Sequence, residues 1–342
     1  MKPDISVVVP THDRLSCLRQ CLEALAAQTF AVDRMEVIVV ADGCSDGTEA
    51  ALARIEVPFD LRVITQPASG AAAARNRGAE AARGALLLFL DDDVIPSPGL
   101  VQAHVREHLT SEDCAVMGPC FPGWREDQSY LAAALYRFWH RTYEHMADPE
   151  RRHVLSGNLS LPAATFSRVV GFDPRLVGSL EDYELGVRLS KSGVALVYAP
   201  DAAATHLETT DLAASLRRVR SGGRASVILV DVHPHLLPST RLFRPAHLPR
   251  YLAFRAPWVG AVLTRLGILI LGGAERIRFR WLWKAVYGQL REYCFWRGVA
   301  DQVGNADQWS AVRLRLEQAY RAAEQAGRSA APHGTPSSVA AP

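Results

Sequence analysis

Leu86, Leu87, Leu88, Phe89 and Leu90 form an apolar run with no polar residue to alternate with, and it stops at three successive aspartates, Asp91, Asp92 and Asp93. A strand with one face in water shows a polar residue at every second position, so this run predicts a strand buried on both faces. Earlier stretches are largely apolar too: Ile5 to Val9, broken by Ser6 and ended by Pro10, then Val37, Ile38, Val39 and Val40, then Leu61, Val63 and Ile64 around Arg62. Between them lie a helical pattern of Leu15, Leu18, Cys21, Leu22 and Leu25, and a small-residue helix from Gly70 to Gly84 that carries Arg75, Asn76 and Arg77. Apolar strands alternating with helices predict an α/β fold with a mostly parallel central sheet covered on both faces. In such a sheet, function gathers beyond the carboxyl ends of the strands. The polar segments Thr11-His12-Asp13-Arg14 and Asp42-Gly43-Cys44-Ser45-Asp46-Gly47-Thr48 fall there, as does the triple acid.

Three adjacent carboxylates at a strand exit repel one another unless a cation sits among them. A divalent ion, Mn2+ or Mg2+, is the economical partner, and such an ion commonly holds phosphate oxygens as well. On extended backbone Asp91 and Asp93 point to the same side with Asp92 between them. The competing reading is a solvated turn that merely ends the strand. Further on, Glu181 and Asp182 are adjacent acids whose mutual repulsion, with burial, raises a carboxyl pKa toward values useful for proton transfer. Their competing reading is an acidic first helical turn, where the dipole favours Glu181, Asp182 and Glu184.

The order and spacing of the motifs separate these readings. Residues 5–211 resemble a family 2 glycosyltransferase with the GT-A, nucleotide-diphosphosugar transferase fold. The resemblance runs through the strand-Pro-Thr-x-Asp-Arg opening at 5–14, Asp42-Gly43-x-Ser45-Asp46-Gly47-Thr48, Ala74-Arg75-Asn76-x-Gly78, Phe89-Leu90-Asp91-Asp92-Asp93, Gly157-Asn158, Gly171-Phe172-Asp173 and Glu181-Asp182-Tyr183-Glu184-Leu185-Gly186-x-Arg188-Leu189. It implies a metal-dependent inverting transfer of a sugar from a nucleotide-diphosphate donor, a UDP-sugar, to an acceptor hydroxyl.

By that resemblance Asp182 is the base, paired with Glu181, and Asp42 accepts from the nucleotide base. Pro10 and Thr11 wall the nucleotide slot, and Asp13, Gly70, Arg75 and Asn76 complete the donor side. Asp93 is the direct metal ligand, while Asp91 and Asp92 face ribose, sugar or metal-bound water, with Asp91 able to share the metal; the sequence does not divide those roles. Gly157, Asn158 and Arg188 belong to the acceptor side. His206 stands where some related enzymes place a metal-binding histidine, and an imidazole there favours manganese.

Two departures qualify the match. Relatives often carry two acids before the glycine of the second segment, where this chain has Ala41-Asp42, and this loosens the donor assignment. The Gln-x-x-Arg-Trp of processive synthases is also missing, because Ile277 precedes Arg280-Trp281 at the glutamine position, so a single addition is expected. Two rivals remain: a nucleotidyltransferase of similar fold, which needs a basic triphosphate loop where Arg14 alone is cationic, and a non-catalytic sugar-nucleotide-binding protein.

Charge divides the chain. Residues 1–211 hold 19 Lys and Arg against 29 Asp and Glu, whereas residues 212–297 hold 15 against 3. The expected plan is therefore a catalytic domain over 1–211, with a nucleotide-sugar half to about 96 and an acceptor half beyond it. A basic helical accessory region over 212–321 and a disordered Ala/Ser/Pro/Gly-rich tail over 322–342 complete it. Arginines mixed with Trp258, Trp281, Trp283 and Trp296 suit peripheral contact with a membrane or packing on the acidic half; no specific nucleic-acid binding is expected. The longest uninterrupted apolar stretch, Leu266 to Ala274, falls well short of the ~20 residues that span a bilayer. The chain opens almost at once on a strand, and its six cysteines form neither a disulfide framework nor a Cys-x-x-Cys pair. A cytoplasmic enzyme is expected, with the inner membrane face as a site of attachment and a glycan, lipid-linked or small-molecule acceptor.

Overall fold

The computed structural model describes residues 2–111, 113–123, 129–207, 211–245 and 247–330, the last five without their side chains. Two compact units divide them: one takes residues up to 128, 132–177 and 181–209, the other 129–131, 178–180 and 210 onward.

The first unit begins with β1 (Ile5–Thr11), α1 (Leu15–Ala26), β2 (Met35–Asp42), α2 (Thr48–Leu52), β3 (Asp60–Gln66), α3 (Ala71–Ala81) and β4 (Leu86–Leu90). It continues with β5 (Val94–Pro96), α4 (Leu100–Thr110), β6 (Cys114–Met117), β7 (Cys120–Pro122), α5 (Tyr130–Met146), β8 (Asn158–Pro162), α6 (Ala163–Arg168), α7 (Glu181–Lys191), β9 (Ala195–Tyr198) and β10 (Ala204–His206). Seven strands form one sheet in the order β3-β2-β1-β4-β8-β6-β9, and β5-β10-β7 form a second. The first four strands of the large sheet are parallel, and β8 is antiparallel to both of its neighbours. Every residue of β1 and β2 is buried, as unbroken apolar runs require, whereas β3, at the edge, is half exposed.

One charge inside β2 is compensated. Glu36 is fully buried and accepts from the Ser6 hydroxyl at 2.6 Å and from the Arg83 backbone N–H at 2.6 Å. Those bonds outweigh the burial that would raise its pKa, so its carboxyl lies below the ordinary value.

Helix α3 lies close on the sheet because Gly78 has no side chain: a Cβ there would stand 2.3 Å from a Val8 methyl carbon. That approach fixes the helix which delivers Arg75 and Asn76.

The second unit holds α8 (Leu212–Val232), α9 (Leu248–Arg255), α10 (Pro257–Arg276), α11 (Arg280–Val303) and α12 (Ala306–Ala330). Its core gathers Val227, Val230, Leu237, Phe295, Trp296, Val299 and Trp309. The expected tail from 322 starts as helix instead, since α12 runs to Ala330 through alanines, glutamate and glutamine of high helical propensity; the rest of that tail lies outside the described residues. The expectation that no segment is long enough to span a membrane is also corrected. Thr264 and Arg265 interrupt the apolar run but not the helix, and α10, at 20 residues, is the one described helix long and apolar enough to cross.

Candidate active site

The acids gather beyond the carboxyl end of β4. They do not lie on extended backbone, as the alternation of Asp91 and Asp93 required, because the Val94 N–H donates to the Asp91 carbonyl at 3.1 Å and closes a turn. The turn divides the three carboxylates between two guanidiniums, Arg75 for Asp91 and Arg14 for Asp92 and Asp93. Asp91 accepts from Arg75 Nη2 at 2.6 Å and packs on Gly157, where a Cβ would lie 2.9 Å from its Oδ2. Asp92 is buried, accepting from the Thr11 hydroxyl at 2.7 Å and from Arg14 at 3.2 Å. Asp93 is buried too, and accepts from Arg14 Nη1 at 2.5 Å.

Their protonation follows the partners. Burial pushes Asp92 up to about 6 and raises Asp93 as well. For Asp91 burial acts the same way, yet the charge and hydrogen bond of Arg75 prevail and hold it below its ordinary value.

Pairing β10 antiparallel to β5 sets His206 opposite Val94, next to the acid turn. His206 Nε2 stands 3.5 Å from Asp93 Oδ1. Two ligands of one ion, each at about 2.1 Å, can take up that separation, so Asp93 and His206 fit a divalent metal. Asp91, committed to Arg75, fits it less directly. Another group of donor atoms within 4.8 Å of one another is Asp13, Cys44 and Asp46. Backbone N–H groups already occupy both of those carboxylates: Ser45 and Asp46 donate to Asp13, and Leu15 and Thr48 donate to Asp46.

Arg75 is the hinge of the arrangement. Its guanidinium is 4% exposed, binds Asp91 and Glu181 (3.2 Å to Oε1), and lies 5.4 Å over the Phe172 ring. Burial opposes its charge, but the carboxylates hold it cationic. Glu181 is thereby occupied, while neighbouring Asp182 is half-buried and, among the described residues, accepts only from the Tyr183 backbone N–H, at 2.7 Å. Burial, then the negative charge of Glu181, pushes Asp182 up to about 7. A carboxyl poised there can take a proton near neutral pH.

Several expected ligand contacts are spent on the fold instead. Asn76 clasps Phe172 through both ends of its amide, donating to the carbonyl at 2.8 Å and accepting from the N–H at 2.9 Å. Arg188 grips Glu184 one turn back and the Val169 carbonyl. Asn158 is buried between His104 Nε2 and the Ala202 carbonyl, each at 2.8 Å. Pro10 and Thr11 are buried as well, and the Thr11 hydroxyl is taken up by Asp92. Asp13, at φ +52, ties the loop at 44–46. Asp42 accepts from Gln66, Ser69 N–H and Gly70 N–H at 2.7–2.8 Å. A carboxylate has about four acceptor sites, so one remains for a base.

Two residues carry more weight here than their motifs suggested. Arg14 neutralises Asp92 and Asp93; the signal was its place just past β1, the strand that neighbours β4. His104 supports Asn158 and Ser160; the signal was its helical spacing with Leu100 and His108 on the buried face of α4.

A profile of the family described as "Glycosyltransferase like family 2" matches residues 3–225. The chain belongs to that family. Among curated relatives, validoxylamine A glucosyltransferase of Streptomyces hygroscopicus subsp. jinggangensis is 31% identical over 69% of this chain and 62% of its own length. Pre-mycofactocin glycosyltransferase of Mycobacterium tuberculosis is 28% identical over 68% of this chain and 48% of its own. The chain thus spans about half to three-fifths of these relatives. Among solved structures, the mannosyltransferase PcManGT of Pyrobaculum calidifontis, in complex with GDP-Man and Mn2+, superposes with a TM-score of 0.56 at 17% identity, over 86% of each chain. Staphylococcus aureus TarS 1-349 in complex with UDP-GlcNAc gives 0.52 at 15% identity, over 89% of this chain and 93% of its own. The fold of this family member is therefore the GT-A fold that the motifs implied, followed by a helical region.

Proposed function

We propose that this chain is a metal-dependent, inverting, non-processive glycosyltransferase that moves a sugar from a nucleotide-diphosphate donor, a UDP-sugar, to the hydroxyl of a glycan, lipid-linked or small-molecule acceptor. The observation that carries the reading is the division of labour around Arg75: Asp91 and Glu181 share its charge, and Asp182 is left with a raised pKa and, among the described residues, no cationic partner within hydrogen-bond reach. Relatives named as glycosyltransferases, and neighbours solved with GDP-Man, Mn2+ or UDP-GlcNAc, support the donor class.

Asp182 takes the proton of the acceptor hydroxyl as its oxygen forms the new bond to the anomeric carbon. The bond from that carbon to the diphosphate oxygen breaks, and its electron pair leaves with the nucleoside diphosphate. One displacement inverts the anomeric centre. Asp93 and His206 would hold the metal, which when bound supplies positive charge to the leaving diphosphate. Arg14, whose side chain is 42% exposed, balances Asp92 and Asp93 and can turn toward phosphate oxygens once another cation serves those acids. Asp42, with its remaining acceptor site, reads the base.

Incubating the protein with a panel of UDP- and GDP-sugars and Mn2+ tests the reading. Release of nucleoside diphosphate that stops on chelation is the expected result. Pyrophosphate release would move the chain to the nucleotidyltransferases, and tight binding without turnover to the binding proteins.

A further inference from the structure

We infer that α10 and its turn into α11 form a face that lies in the plane of an anionic phospholipid bilayer. The two sides of α10 differ. Gly260, Gly267, Leu271 and Ala274 line the buried side, where a Cβ at Gly260 would meet the Tyr293 ring at 2.2 Å and one at Gly267 would meet Leu290 at 2.9 Å. Close packing on α11 therefore consumes that side. The opposite side, spaced by the helical repeat, presents Trp258 (74% exposed), Val262, Leu266 and Leu269 (72%). Beyond the helix the exposed apolar surface continues through Ile277, Phe279 and Trp281. In all, only 22% of the apolar stretch of α10 is buried in the protein.

Charge identifies what covers this face. Residues 257–284 carry five basic side chains, Arg265, Arg276, Arg278, Arg280 and Lys284, against one acid. All five are exposed, and among the described residues none is within ion-pair distance of a carboxylate. The acid, Glu275, is occupied by the Tyr130 N–H at 2.6 Å. Cations alternating with tryptophan, phenylalanine and isoleucine match the phosphate level and acyl boundary of a bilayer, where arginine stems lie along apolar surface and their heads reach phosphate. Nucleic acid would use the cations but leave the aliphatic row in water. A second copy paired through this face would bring like charges together. Lying in the plane is favoured over crossing, because a spanning α10 would carry Arg265 to mid-bilayer.

The test uses the full chain with vesicles of phosphatidylcholine alone and of equal parts phosphatidylcholine and phosphatidylglycerol. The protein should float with the mixed vesicles only, and release as the screening length falls from about 10 Å at 0.1 M salt to about 3 Å at 1 M. Acyl-chain-brominated lipid should quench part of the tryptophan emission. Arg276→Gln, Arg278→Gln and Arg280→Gln together should weaken binding roughly a hundredfold, at about fivefold each. Trp258→Ser with Leu269→Ser should abolish quenching while circular dichroism stays unchanged, since neither side chain is in the core. Failure of the wild-type protein to float at low salt, or binding that both variants retain, overturns the proposal. Dimerisation without vesicle binding, lost in Trp258→Ser with Leu269→Ser, would assign the face to a second copy.

Discussion

Asp182→Asn should make the protein more stable and catalytically poor at once. In the structure burial and Glu181 raise the Asp182 pKa from 3.8 to about 7. Three units at about 1.36 kcal/mol each set a ceiling of ~4 kcal/mol on what its ionisation costs the fold. The side chain keeps partial contact with water, so about 2 kcal/mol is the working figure. The sign follows from linkage: the folded pKa lies above the unfolded one, so this stability is fully present below about pH 4 and is lost as pH rises through about 7. Asparagine keeps the acceptor for the Tyr183 N–H but never ionises. Scanning calorimetry should therefore find its Tm above wild type by about 4–8 °C at pH 8, for a unit of this size, and nearly equal to wild type at pH 4. Under turnover, kcat should fall by roughly 10²–10⁴ while donor affinity holds, and the wild-type kcat should rise through about pH 7. A variant with unchanged kcat, or one less stable at pH 8, would refute the assignment of Asp182 as a half-buried, charge-strained base.

Three further outcomes follow from neighbouring geometry. Asp93→Ala should fold normally, since its carboxylate meets only polar partners, and should lose the Mn2+-dependent part of the thermal shift given by a donor; an intact Mn2+ response would remove Asp93 from the metal site. Asp42→Asn keeps two of the three hydrogen bonds to the loop at 66–70 in reach but cannot present a second anionic oxygen, so affinity differences among uridine, guanosine and thymidine diphosphates should shrink, whereas an equal loss for all three would point to loop collapse. His104, buried and held near pKa 4, must charge when the chain unfolds in acid; stability present above about pH 6.5 is lost toward pH 4, by ~3 kcal/mol for this residue, and chemical denaturation of His104→Gln should show that much less acid sensitivity.

The fold was legible because it is written in runs. Uninterrupted apolar strands such as Val37 to Val40 admit one environment, whereas the close approach of α3 at Gly78 shows only in the structure. The candidate site could be named from the sequence, but its wiring could not be read there. Asp91, Asp93, Asp182 and His206 could be named as candidates from motif order; the division of the acids between Arg75 and Arg14 comes with a turn, closed by the Val94 N–H on the Asp91 carbonyl, that no periodicity announces. Asn76 and Arg188 show the same limit. Both sit inside matching motifs, and both turn out to hold backbone, because a site built from loops needs as many residues to fix the loops as to touch a ligand.

That wiring bears on how a donor could enter. With Arg14 on Asp92 and Asp93 and Arg75 on Asp91 and Glu181, four acids are balanced by two guanidiniums, of which one is 42% exposed and the other 4%. The buried one cannot leave without stranding Glu181 and Asp91, a loss that charged buried pairs make severe. The exposed one can move at small cost, because water replaces part of what it gives up. An incoming cation and diphosphate would therefore displace Arg14 and leave Arg75 in place. On the proposed function, the Arg14 end of the site is free to rearrange for a donor, whereas the Arg75 end beside Asp182 stays.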